Sequence, residues 1–475
     1  WADGLTLDAT INLDELDPGA YTSAVAGRLD GDATLSFVQA DDGWRLGIPE
    51  LAIDGTLNDL PVSLSGSLSG NSDMRWNIKQ LDLRQGENRL TAEGQIGDQM
   101  DLSGSLQASG LNALSPELGG TLQGDFQLGG SLDTPTLALD LSGEGLVFAE
   151  NRLGALTLRA STQGLEDPQL DLSLEAERLD AGGQRISRLT LGLDGRLSAH
   201  RLTLEAAAGR GMPLSRADFT LEGGLNADRD RYQGQLMPLE VDADAGTLRL
   251  DEALTFDVDI AKSAVSLSPF CLLREEGGRL CSTQPVDASA KQGRARLQLT
   301  ELPMALLEPS LPVGWKASGD NNADVVVAWQ DQGTSWSLDA NLDSRLDIEA
   351  QNAFGQPVTL PTTQLKLTAN ATPQAANAEL DLELEQGGSV NLTLRIDDPQ
   401  GQGALDGRLR LQSLQLSPYQ PLAGDMETLE GSLNGDIAVG GTLALPTLTG
   451  NLTLDSLQAK GSGIPLAVRD GELTV

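Results

Sequence analysis

Leu380-Asp381-Leu382-Glu383-Leu384 sets a leucine at every second position and an acid between each pair. Successive side chains of a β-strand point to opposite faces, so this stretch reads as a strand with one apolar and one wet face. The same period recurs along the chain, at Leu5, Leu7, Ile11 and Leu13, at Leu137, Leu139 and Leu141, at Leu170, Leu172 and Leu174, and at Leu189, Leu191 and Leu193. It continues at Val390, Leu392, Leu394 and Ile396 and again at Leu452 and Leu454. Many such strands without a helical layer predict an all-β chain whose long apolar face must be sealed or filled.

No composition shift or linker divides the 475 residues, so the chain is expected to form one elongated stack of short units rather than several globules. Asp30-Gly31, Asp54-Gly55, Ser69-Gly70, Gly182-Gly183, Asp194-Gly195, Gly223-Gly224, Gly277-Gly278, Gly387-Gly388 and Asp406-Gly407 read as tight hairpin turns. A spacing of roughly 8–12 residues per strand implies about 40 strands, and an open sheet that large must curl or fold over. Short helices are expected only at Leu111 to Leu118, Leu302 to Leu307 and Leu416 to Leu422.

Two segments repeat. Gly120-Thr121-Leu122-Gln123-Gly124-Asp125-Phe126 aligns with Gly431-Ser432-Leu433-Asn434-Gly435-Asp436-Ile437. Gly129-Gly130-Ser131-Leu132-Asp133-Thr134-Pro135 aligns with Gly440-Gly441-Thr442-Leu443-Ala444-Leu445-Pro446. Together with the Leu/Pro clusters, this suggests sub-repeats over about 1–110, 111–301, 302–413 and 414–475.

The formal charge is −37, from 69 acidic against 32 basic side chains. Such a surface repels phosphates, which argues against nucleic acid and against adhesion to an anionic bilayer face. Catalysis is not expected either. The one histidine, His200, lies in a Ser198-Ala199-His200-Arg201 turn and reads as solvent-exposed, with no second histidine for a metal site and no nucleophile beside it. No Gly-x-x-x-x-Gly-Lys loop is present, and no cofactor is implied. Trp44, Trp76, Trp329 and Trp336 stand in strand-like contexts, where packing or rim placement outweighs a ligand site.

The repeat Gly-x-Leu-x-Gly-Asp…Gly-Gly-Thr-Leu-x-x-Pro-x-Leu at Gly431 to Leu448, its copy at Gly120 to Leu137, and the segment Phe270-Cys271-Leu272-Leu273…Arg279-Leu280-Cys281 followed by Leu302-Pro303-Met304-Ala305-Leu306-Leu307 resemble the TamB family of AsmA-like, bridge-like lipid transfer proteins. The resemblance implies a long curled β-sheet with a greasy groove. It implies a periplasmic protein of a Gram-negative bacterium, held in the inner membrane by a helix before Trp1. It also implies a partner, an outer-membrane barrel of the Omp85 type (TamA-like), met through a domain beyond Val475. The chain would then be a central segment. Phospholipid transport and assistance to outer-membrane protein assembly are the functions implied.

If Cys271 to Cys281 is a hairpin, the two cysteines face each other, and in that compartment a disulfide is expected; unpaired thiols are the alternative. A sealed sandwich remains possible for the apolar face. An open groove fits better, because aromatics are only 3% and the apolar phase of these runs is nearly free of charge. The lining is then Leu5, Leu7, Leu137, Leu139, Leu141, Leu170, Leu172, Leu174, Leu189, Leu191, Leu193, Leu380, Leu382, Leu384, Leu392, Leu394, Ile396, Leu452 and Leu454. A scaffold that offers strand edges to unfolded outer-membrane proteins is the rival reading.

Overall fold

The computed structural model describes residues 5–20, 26–41, 43–244, 246–304, 313–424, 426–461 and 468–474. Among them 33 strands carry the fold, interrupted by short 3₁₀ turns, so the chain is all-β. It divides into two compact units, Trp1–Arg229 with Pro238–Asp244, and Asp230–Met237 with Ala245–Val475.

The first unit is an antiparallel meander from Leu5–Leu16 to Leu214–Leu225, each strand paired with the next in the chain. Two-residue connections make this possible. Asn58 and Asp59, both at positive φ (49° and 64°), turn the chain between Leu57 and Leu60, the backbone that a tight hairpin needs.

The second unit begins with short strands. Gly246–Leu250 pairs with Phe270–Arg274, which pairs with Arg279–Ser282, which pairs with Gly293–Pro303. From Asp320–Gln330 through Ser335–Gln351 and Thr363–Ala371 to Pro446–Gly461, long antiparallel strands follow. The far end of Ser335–Gln351 leaves this sheet and pairs instead with Lys316–Ser318 and Pro357–Thr359. There Ala350, Val358 and Leu360 form a closed core, packed by Trp315, Ile348 and by Tyr419 and Leu422 of the 3₁₀ turn Ser417–Leu422.

The repeated segments fold alike. In both, a glycine in the left-handed region (Gly130 at 79°, Gly441 at 80°) lies in the last two residues of a strand, and the Thr134 and Leu445 amides donate to the Ser131 and Thr442 carbonyls at 3.1 Å. Leu132 and Leu443 stand at equivalent positions in these turns and are 58% and 54% exposed.

Several expectations need correcting. Asp30-Gly31, Asp54-Gly55, Ser69-Gly70, Asp194-Gly195, Gly223-Gly224 and Asp406-Gly407 lie inside strands, not at turns. At Gly31 a Cβ would meet the Ala52 carbonyl oxygen at 2.4 Å, so these glycines serve close approach of neighbouring strands rather than chain reversal. Gly182-Gly183 and Gly277-Gly278 do form turns. Helix is confined to 3₁₀ turns, Leu111–Ala113 at the first expected place and Ser417–Leu422 at the third. At the second, Leu302 and Pro303 end a strand, and Ala305 to Leu307 lie outside the described residues. His200 is a half-buried strand residue, not an exposed turn residue, and its Nδ1 lies 3.1 Å from the Arg196 carbonyl oxygen.

Candidate functional site

Pairing register turns the short leucine runs into continuous rows. In an antiparallel sheet, residues directly opposite each other share a face. In the first unit, one row runs Leu13, Gly31, Ile53, Leu64, Leu83, Leu90, Leu106. It continues Gly124, Leu141, Leu158, Leu174, Leu191, Leu204 and Phe219. The row two positions away carries Ile11, Ala33, Leu51, Gly66, Leu81, Ala92 and Gly104, then Phe126, Leu139, Ala160, Leu172, Leu193, Leu202 and Leu221. Neither contains a single charged residue across fourteen strands. The row between them faces the other way and holds Asp32, Asp82, Asp125, Asp140 and Arg159.

The second unit repeats the pattern. Leu250, Leu272, Leu280, Leu299, Ala323 and Leu342 stand in one row. Leu367, Leu380, Leu392, Leu409, Ile437 and Gly450 extend it. The adjoining row of Leu365, Leu382, Val390, Leu411, Gly435 and Leu452 starts from the polar pair Asn321–Ser344. Those two are buried, and Asn321 Nδ2 donates to the Leu302 carbonyl at 3.1 Å while Ser344 Oγ donates to Asn321 Oδ1.

All nineteen leucines and isoleucines expected to share a face lie in this apolar phase within their own unit. Leu394 faces Ala378 and Gly407, Ile396 faces Ala376 and Leu405, Leu384 faces Thr363, and Leu454 faces Leu433. Leu189 faces Ala176 and Ala206, and Leu170 faces Thr162, which also faces Leu137. Leu5, Leu7 and Leu137 are exposed, at 58%, 49% and 41%, and the other sixteen are half-buried. Buried residues such as Val62, Met100, Ala108 and Ala176 belong to the same phase. Within each row leucine lies directly against leucine of the neighbouring strand, as Leu158 does against Leu141 and Leu174.

Sequence reasoning missed the bulges that kink these strands. Glu15, Glu301 and Ser413 adopt positive φ without being glycine. The amide of each donates to an Asp or Asn side chain of the adjacent strand: Asp30 Oδ1 at 2.8 Å, Asn322 Oδ1 at 3.1 Å, Asn434 Oδ1 at 2.8 Å. Register shifts at each position, the signature of an extra residue in the ladder.

The polar face is laced with ion pairs. Arg159 reaches Asp140 at 3.2 Å, Arg296 reaches Asp324 at 2.9 Å, and Arg408 pairs with Asp436. Asp82 is the one buried carboxylate among them, held by Arg89 and Arg84 at 2.6 and 3.0 Å. Hydrogen bonds from Arg89 first and Arg84 second hold its carboxyl well below the usual carboxylate range, against the opposing effect of burial. A cleft of about 620 Å³ is bordered by Ser69, Asn77 and Gln95 together with Leu46, Arg75, Trp76, Ile96 and Asp98. Cys271 and Cys281 face each other across their hairpin, on the side opposite Leu272 and Leu280, and are disulfide-bonded with Cα atoms 4.1 Å apart. Among the described residues no group of three or more His, Cys, Asp or Glu side chains converges as a metal site would require.

No solved structure matches this chain. A curated relative, the translocation and assembly module subunit TamB of Haemophilus influenzae, is 24% identical over 481 residues, covering 100% of this chain and 36% of the relative. The chain thus spans about a third of that relative's length. The family described as TamB, N-terminal domain, matches residues 1–454, and the chain belongs to the TamB family.

Proposed function

We propose that the uncharged rows are a bed for the acyl chains of phospholipid, and that the chain is part of a conduit carrying lipid between inner and outer membranes through the periplasm. The observation that supports this reading is the register: rows of Leu, Ile, Ala and Gly crossing a unit without interruption by charge. Acyl-chain partition needs no headgroup pocket, because each buried CH₂ contributes about 0.8 kcal/mol. Successive positions along a row are chemically alike, so a bound chain can move between them at little cost. No bond is made or broken, so the function is non-enzymatic and requires no cofactor. Membership in the TamB family supports the envelope location. An anchoring helix, and an outer-membrane barrel as partner, are part of this reading for the whole protein.

A photo-crosslinking residue at Leu174 or Leu392, in the apolar phase, should capture phospholipid in cells, whereas one at Thr190 or Asn391 in the polar phase should not. Capture of unfolded outer-membrane barrels at the strand Leu5–Leu16, which among the described residues pairs on one side only, without lipid capture at Leu174, would favour the strand-edge scaffold instead.

A further inference from the structure

The two margins of the first unit differ. Antiparallel strands reverse alternately at one margin and the other. One margin carries the 3₁₀ turn Leu111–Ala113. The opposite one carries the turn at 72–75 and the tryptophans. Trp44 is the second residue of Gly43–Leu57 and Trp76 the first of Trp76–Gln85. Both belong to the apolar phase, and their ring centroids lie 6.1 Å apart. Trp44 stands in the outermost row with Leu5 and Gln39, and the next row inward is Leu7, Phe37, Leu46, Gly70, Trp76 and Ile96, again without charge. Trp76 lies over Gly70, where a Cβ would meet the indole at 2.6 Å, so the glycine leaves room for the ring against the sheet. Further from this margin the apolar phase is aliphatic apart from Phe126, Phe148 and Phe219.

Indole is the side chain suited to a boundary between hydrocarbon and water, with an apolar body and one N–H donor. Beside Trp76, Arg75 stands between Asp73, at 3.9 Å, and Asp98, with which it pairs. A cation flanked by two carboxylates complements a headgroup carrying both phosphate and ammonium. An anionic headgroup would instead meet a chain of net charge −37. The second unit repeats the placement independently: Trp329 and Trp336 face each other at a strand end, and Trp329 lies over Gly293, where a Cβ would meet its ring at 2.2 Å.

We propose that the Trp44–Trp76 margin seats the polar end of a zwitterionic glycerophospholipid whose tails lie along the uncharged rows. This rests on the reading of the rows as an acyl-chain bed, and it adds a direction to it: the tails point away from the tryptophan margin.

The test is tryptophan fluorescence of the 475-residue chain with Trp1, Trp315, Trp329 and Trp336 changed to Phe, leaving Trp44 and Trp76 as the reporters. Phosphocholine lipids brominated either near the glycerol or near the tail end are added, and bound lipid is measured separately by its phosphorus. Quenching by the glycerol-end label should exceed that by the tail-end label by roughly twofold or more, as for indoles at an interface. Trp76→Phe in this background leaves Trp44, 6.1 Å away at the same margin, and should keep the order of the two labels without changing the phosphorus retained. Retained lipid with no quenching, or with stronger quenching from the tail end, overturns the proposal while the acyl-chain bed stands. Equal quenching by a brominated phosphoglycerol lipid overturns the zwitterionic preference. No retained phosphorus at all overturns the bed and the margin site together.

Discussion

Leu382 lies directly opposite Val390 across the hairpin that joins 375–384 to 388–397, and Leu365 flanks it on the other side. A charge introduced there has apolar neighbours on both sides and no opposite charge to pair with. Leu382→Asp is expected to lower stability by about 1–3 kcal/mol while leaving the long strands paired. Lipid retained on purification should fall well below that of Leu382→Ile, which keeps the row apolar. Urea unfolding and lipid phosphorus on the same preparation check both. Unchanged lipid in a folded Leu382→Asp chain would count against the acyl-chain bed.

Asp82 links pH to stability. Its folded pKa is depressed by Arg89 and Arg84, so its contribution is fully present above the ordinary carboxylate pKa of about 4 and is lost as pH falls through the depressed value. Asp82→Asn should therefore cost roughly 1–2 kcal/mol at pH 7 and progressively less below about pH 4. Urea midpoints of the two proteins across that range should converge on the acid side. Parallel curves would show that the arginines do not depress this carboxyl.

Reduction of Cys271–Cys281 releases a loop of sequence separation 10. The chain-entropy argument gives about 2–3 kcal/mol for a loop of that size. Because the bond joins facing residues of one hairpin, its loss should act locally. Hydrogen exchange should quicken in Phe270–Arg274 and Arg279–Ser282 on Cys271→Ser/Cys281→Ser, with exchange in the Leu170 to Leu204 strands unchanged. Uniform acceleration would contradict a local role.

Gly31 and Gly183 separate the two uses of glycine. At Gly31 an added Cβ meets backbone oxygen at 2.4 Å, whereas at Gly183 nothing lies within 4 Å but φ is 79°. Gly183→Ala should cost about 1 kcal/mol, the strain of a left-handed alanine. Gly31→Ala should cost more, because neighbouring strands must part. Thermal melts of the two variants order them, and the reverse order would restore a turn at Asp30-Gly31.

What was legible before the fold was known follows from distance along the chain. Period-two alternation is local, so the strands around Leu172 and Leu382 and their apolar faces could be read directly. The cysteine hairpin is local as well, closing over ten residues. Register is less local: that Leu174 meets Leu191 follows from the Gly182-Gly183 turn, which its residues announce, but that it also meets Leu158 depends on the turn at 164–168, which was not read. Bulges were hidden for a related reason. Glu301 holds positive φ because Asn322, on another strand, accepts its amide, and a glutamate carries no turn signal of its own. Asp-Gly misled because the same dipeptide serves a turn and a close strand approach. The core at Ala350, Val358 and Leu360 escaped notice because short strands of small residues show too few periods to stand out.

The Asn321–Ser344 pair is a buried polar place in the second unit's apolar phase, and its energetics can be separated by a double-mutant cycle. Both side chains are buried; Asn321 donates to the Leu302 carbonyl and accepts from Ser344. Removing one partner strands the other without water. Asn321→Ala should cost roughly 1–3 kcal/mol, since the Leu302 carbonyl and the Ser344 hydroxyl each lose a partner. Ser344→Ala removes a donor and leaves Asn321 with its carbonyl bond, so it should cost less. The double variant should cost less than the sum of the singles, because the hydroxyl that Asn321→Ala leaves unpaired is then gone. Additive losses would mean that the two side chains do not act as a pair. If the pair also serves as a polar stop in an otherwise apolar row, Asn321→Leu/Ser344→Ala should extend the oily surface and raise retained lipid, measured as phosphorus per chain.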